Sequence, residues 1–240
     1  MAKDFGESTP GSRQDFNPPT PQPGEIWEVS RWVRSPLKFS KQEQQQLYSE
    51  AARRFLEAKS PPRYVTIVSE PDPPLDSEAE WQVVSVMVMS GVTNFLSDVD
   101  LLIPQEISGI GQDLLAQTWQ ILPMLTCNLL HPVGRRLSRE IYDVLMNVGD
   151  YYLGLVDAAP SPQEIQALGL KIAPISTSEQ PEIQAFHRQE QAWSDILRIP
   201  LAAYRAYLKG MKLTDTILNQ AIQIERDLSV EIKSAEDFQI

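Results

Sequence analysis

Two apolar, β-branched runs separated by a proline-rich acidic turn constrain this chain more than any other feature. Arg63-Tyr-Val-Thr-Ile-Val-Ser69 and Trp81-Gln-Val-Val-Ser-Val-Met-Val-Met-Ser90 both read as strands, and the segment between them carries Pro71, Pro73 and Pro74 among Asp and Glu. Runs joined in this way are expected to pair in one small sheet. Pairing would set the Arg63 guanidinium and the Ser90 hydroxyl in one groove, the simplest arrangement this sequence offers for holding a phosphate.

The flanking chain supplies the rest of a sheet. Glu25-Ile-Trp-Glu-Val-Ser-Arg-Trp-Val33, opened by Pro23-Gly24, reads as a first strand with apolar side chains on both faces. Ser40 and Glu43 have capping-box spacing, and Leu47, Ala51, Ala52, Phe55 and Leu56 continue at helical intervals to Pro61-Pro62. One inserted helix is therefore expected between the first two strands. Further strands are expected at Asp98–Ile103, Leu114–Leu122 and Thr126–Leu130. Five or six short strands with one interrupting helix predict an α+β fold, a small curved antiparallel β-barrel.

From Ser138 the periodicity turns helical, with Ile141, Val144, Leu145, Val148, Tyr152 and Leu155 along one stripe, as for a helix closing one end of the barrel. Beyond Asp157 the composition shifts to Gln, Glu, Ala and Leu. Ser161 and Glu164 repeat the capping pattern, a longer helix follows Pro181 with a kink expected at Pro200, and a last helix is capped by Thr214. The two longer helices form a helical hairpin. Three regions result: a disordered proline-rich leader over 1–22, the barrel over 23–157 and a helical extension over 158–240.

With 240 residues, 42% of them hydrophobic, the chain can bury a sizeable core. No apolar run is long enough to span a bilayer and no secretory signal opens the chain, so a soluble cytoplasmic protein without membrane association is expected. A single cysteine, Cys127, allows no intrachain disulfide, and no Cys/His spacing suits a metal, so neither metal nor cofactor is expected. The net charge of −11 opposes broad nucleic-acid affinity. Positive charge nevertheless concentrates between 31 and 63, where Arg31, Arg34, Arg53, Arg54 and Lys59 are the candidate RNA contacts. No Lys or Arg occurs from Tyr64 to Gly134.

No phosphate loop, dinucleotide fingerprint or nucleophile elbow is present. The order of elements, however, resembles the PemK/MazF toxin family. Pro23-Gly-Glu-Ile-Trp27 is similar to that family's opening strand, Arg63 and its Val-rich run to the Arg-Pro-Val-Leu-Val-Ile strand, and Val86-Met-Val-Met-Ser90 to the strand ending in Ile-Thr. Gln117-Thr-Trp-Gln-Ile-Leu122 and the helix ending Leu153-Gly-Leu155 are similar to its Gln-x-Arg-x-Ile segment and closing helix. The resemblance covers roughly Pro23 to Asp157. The chain departs from the pattern at Tyr64 for proline, Ser90 for threonine and Trp119 for arginine, and in the helix-bearing insertion and the extension.

What the resemblance implies is a small, usually dimeric barrel that cleaves single-stranded RNA without metal, with Arg63 and Ser90 in the catalytic positions. A fixed guanidinium stabilises the charge that builds on a phosphorane when a 2′-hydroxyl attacks, while a hydroxyl orients the phosphate. Two functions are weighed. The expected one is a binding or interaction module without toxin activity, homodimeric, with the helical extension as a surface for a protein partner. The alternative is a metal-independent endoribonuclease acting through Arg63 and Ser90.

Overall fold

The molecule is built on one six-stranded antiparallel sheet, with strands β1 (Ile26–Val29), β2 (Tyr64–Ile67), β3 (Val83–Ser90), β4 (Asp100–Ile103), β5 (Leu114–Leu125) and β6 (Leu129–Val133). Their spatial order is β4-β5-β3-β2-β1-β6. The structure, a computed structural model, describes residues 20–73 and 81–209. Most of the expected leader, part of the acidic turn and the final helix from Thr214 lie outside the described residues. Pro21, assigned by sequence to the leader, is already buried.

The two runs that dominate the sequence do pair. Tyr64 lies opposite Met89, Val65 opposite Val88 and Ile67 opposite Val86. Alternation then sends Val65, Ile67, Val84, Val86 and Val88 to one face and Met87 and Met89 to the other. Both faces are covered, which is why these strands read as continuous apolar runs. On the first face lie α1 (Lys41–Leu47), α2 (Glu50–Leu56) and α7 (Asp195–Leu208), contributing Leu47, Phe55, Ile196 and Ile199. On the second lie α4 (Arg139–Tyr152) and α5 (Pro162–Ala167), contributing Ile141, Leu145, Val148 and Ile165. Between β4 and β5 a single helical turn, α3 (Gln105–Ser108), ends at Gly109, whose φ of 68° is left-handed. The thirteen-residue α6 (Pro181–Trp193) runs into α7 through Ser194. Among the described residues no helix is long and apolar enough to cross a membrane.

The expectation of a barrel needs correction: the fold is α+β, but the sheet stays open between β4 and β6. The free edge of β4 is instead occupied by the extension, where Leu102 and Lys171 exchange backbone hydrogen bonds of 2.9 and 3.2 Å. At the other end Pro132 in β6 lacks the N–H that a further ladder partner would require, as suits an edge strand. Covering an edge by the chain itself protects it as closure would.

Two helical expectations and one strand expectation also change. The single inserted helix is two, broken at Tyr48-Ser49, because the Ser49 N–H is taken by the Asp195 carboxylate at 3.0 Å and its hydroxyl donates to Ala192 O at 2.6 Å. The long helix after Pro181 breaks at Ser194, not at Pro200, which sits inside α7. The strand expected from Thr126 starts three residues later, after a 3-10 turn over Thr126–Asn128. The capping signals, by contrast, hold: Ser40 with Glu43 and Ser161 with Glu164 form complete capping boxes, and Ser138 caps α4.

Candidate functional site

Arg63 immediately precedes β2 and Ser90 ends β3. The register that sets Tyr64 against Met89 places them at the next cross-strand step, both with the parity of Val65 and Val88 and hence on the face covered by α2 and α7. Strand pairing sets them at neighbouring strand ends, but the cleft that Arg63 lines does not include Ser90. Both are withdrawn from the surface, Arg63 only partly so. Ser90 is fully buried, and its Oγ accepts from the Val92 N–H at 3.2 Å.

What fills the space over Arg63 is a carboxylate from the extension. Arg63 Nη1 donates to Glu190 Oε1 at 2.9 Å and Nη2 to Oε2, a bidentate pair whose side chains are only 11% and 6% exposed. The guanidinium also lies over the Trp193 ring, 4.4 Å from its centroid, so two residues of α6 one turn apart enclose it. Gln117 Nε2 donates to Glu190 Oε2 at 2.7 Å, and Gln120 Nε2 reaches the Glu190 carbonyl at 3.4 Å.

Gln117 and Gln120 reach α6 because β5 is irregular there. Opposite β3, Met87 pairs with Ile121 but Met89 with Ala116, so residues 117–120 bow out of the ladder. Such a bulge re-aims side chains that a regular strand would alternate between faces. Trp119 and Thr118, from the same bulge, tie down β4: Trp119 Nε1 donates to Asp100 Oδ1 at 2.9 Å and Thr118 Oγ1 to the Val99 carbonyl at 2.8 Å. Helix α4 comes very close behind it, for a Cβ on Gly149 would stand 2.8 Å from Thr118 O. That glycine, which as a helix residue costs propensity, is there for the approach.

A second contact fastens α6 one turn before the first. The fully buried Asp100 accepts from Ser97 Oγ at 2.5 Å and meets His187 Nε2 at 2.7 Å, while the His187 ring lies 4.5 Å from Trp119. Phe186 stacks on Phe95 at 4.8 Å beside it. The turn leading into α6 is held by Asp98, which accepts from the N–H groups of Ser176 and Ser178 at 2.9 and 2.8 Å. Burial pushes the Asp98 carboxyl up, but hydrogen bonds from Ser178 and Ser176 outweigh it and hold the group below its ordinary value.

The candidate RNA contacts disperse. Arg31 donates to the carbonyls of Phe55 and Ser60 at 2.8 and 2.7 Å and lies over the Phe55 ring. Arg53 donates to Gln45 O and Tyr48 O, closing the corner between α1 and α2. Lys59 is exposed and pairs with Glu57 at 2.5 Å. Arg34 lies in a separate groove with Trp32. Arg54 alone shares a cleft with Arg63, a space of about 800 Å³ between α2 and α6 that Arg188 also lines. Four residues of the site were not singled out by sequence: Glu190, Gln117, Asp100 and His187. Gln117 stood within the family-like Gln-Thr-Trp-Gln segment, but Glu190 had no signal among 32 acidic residues.

Among the described residues no group of three or more His, Cys, Asp and Glu side chains could hold a metal ion. Compared with known proteins, the chain matches no protein-family model and no curated protein sequence.

Proposed function

We propose that this chain is a diverged PemK/MazF-like protein that works as a binding or interaction module, in which the arginine at the family's catalytic position fastens the helical extension to the sheet. The observation that carries this is the Arg63–Glu190 pair. Glu190 takes the Nη1/Nη2 edge of Arg63 that a phosphate would use for a bidentate contact, and the ring of Trp193 covers the guanidinium face. To admit RNA at Arg63, α6 would have to move away, giving up the Arg63–Glu190 pair, the Trp193 cover and the Asp100–His187 contact.

The module is expected to be cytoplasmic and homodimeric, with its partner surfaces on the inserted segment and the extension. Incubating purified protein with a mixed-sequence RNA decides between the readings. The interaction reading expects no cleavage by the wild-type chain.

The alternative, an endoribonuclease acting through Arg63 and Ser90, is favoured by one observation: the two residues share a sheet face at adjacent strand ends. Cleavage by the wild type that Arg63→Ala abolishes would establish it and remove the interaction reading. Cleavage that appears only in Glu190→Ala would mean the site is competent but held shut.

A further inference from the structure

Once Glu190 has closed on Arg63, a cleft of about 800 Å³ still stands between α2 and α6. Arg54 lines it from α2 and Arg188 from α6. Both arginines are exposed, and neither side chain has an ion-pair or hydrogen-bond partner among the described residues. Arg63 and Trp193, which are largely buried, form its base. Arg63 and Glu190 cancel one another in charge, and the one other carboxylate of the lining is Glu50. Three arginines against two glutamates leave a surplus of one positive charge, in a chain whose net charge is −11.

Hydrogen-bond donors are in surplus as well. Ser60 Oγ, Arg63 Nε and Trp193 Nε1 are buried with no hydrogen-bond partner, and all three residues line this cleft. Two of those atoms, Arg63 Nε and Trp193 Nε1, can only donate. Buried polar groups in folded proteins are nearly always matched, so a cluster short of acceptors and of negative charge singles out this place.

We infer that the cleft binds a small monocarboxylate with a compact apolar body. Its carboxylate meets Arg54 and Arg188, whose planar guanidinium groups suit carboxylate oxygens, and its apolar part rests against Ala51, Pro61 and Ala185. The volume lies within the range of small-molecule sites. One negative charge matches the surplus of one, whereas a phosphate monoester brings about 1.5–2. A polynucleotide fits worse still, because its affinity grows with the number of phosphates neutralised. The inference rests on the interaction reading, since the cleft exists only while α6 is fastened to the sheet.

The test is titration of the full chain with benzoate, followed by the indole N–H resonance of Trp193, which is identified by its loss in Trp193→Phe. A saturable shift is expected, with a dissociation constant of about 1 mM. Arg54→Gln and Arg188→Gln should each weaken binding about threefold or more, and benzamide, which has the same ring without the charge, about tenfold. Both arginines are exposed, so their variants should keep the wild-type melting temperature, measured alongside. No saturable shift, equal binding of benzamide, or binding indifferent to both substitutions overturns the inference. Phenyl phosphate binding about tenfold tighter than benzoate overturns it too, and makes the cleft a phosphate site. Failure with benzoate leaves the Arg63–Glu190 fastening as it stands. Wild-type RNA cleavage that Arg63→Ala abolishes instead removes the interaction reading, whatever the titration gives.

Discussion

His187 on α6 and Asp100 on β4 meet at 2.7 Å, one helical turn before Glu190 closes on Arg63. Facing a carboxylate that already accepts from Ser97 and Trp119, His187 must donate through Nε2. Two polar clasps on one face of one helix thus hold the extension against the sheet at two points.

The Glu190 clasp should be strongly coupled. Glu190→Ala leaves Arg63 buried without its partner and is expected to lower unfolding free energy by about 3–5 kcal/mol, measured by urea denaturation. Replacing both residues with apolar ones, Arg63→Met with Glu190→Leu, should recover much of that loss. Additive losses in the double variant would show that the pair does not act as a unit.

At the other clasp, Asp100→Asn turns amide hydrogens toward groups that themselves donate. A loss of about 1–3 kcal/mol is expected, with faster amide exchange along α6. Exchange unchanged in α6 but faster in β4 would place the role of Asp100 in the sheet alone.

Gly149→Ala tests the close packing behind the β5 bulge. Helix propensity favours alanine by about 1 kcal/mol, but the new methyl would sit 2.8 Å from Thr118 O, a backbone atom with little freedom to yield. The expected net result is destabilisation by about 1–3 kcal/mol. A stabilised variant would mean that α4 can shift outward at no cost.

Acid should loosen the turn before α6. The folded-state Asp98 carboxyl lies below its ordinary value of 3.8, because hydrogen bonds from Ser178 and Ser176 outweigh the upward push of burial. The folded form therefore binds this proton less readily than the unfolded chain. Its contribution is complete well above 3.8 and is lost as the pH falls through the folded value. Amide exchange at Ser176 and Ser178, corrected for intrinsic rates, should rise over that acidic range and become pH-independent in Asp98→Asn.

Much of the framework was legible before any coordinates. The strand character of the Arg63 and Trp81 runs, the first strand with apolar side chains on both faces, and the caps at Ser40, Ser138 and Ser161 all rest on neighbours a few residues apart. The failures share a cause. The break at Ser49 follows from Ala192 and Asp195, at the distant junction of α6 and α7, and at Ser194 no local signal rivals that of Pro200. The open sheet depends on Lys171 reaching the edge of β4, which no periodicity announces.

The opening strand pair marks the same division. By itself the sequence determined that the two runs are strands, one opening in Arg63 and the other ending in Ser90, because alternation and β-branching are local. The register that sets the two residues at neighbouring strand ends belongs to the folded sheet. Only the tertiary structure decided what Arg63 does there. Its partner Glu190 is 127 residues away, one carboxylate among many, and is selected by the face that α6 turns inward and by the bulge that brings Gln117 to meet it.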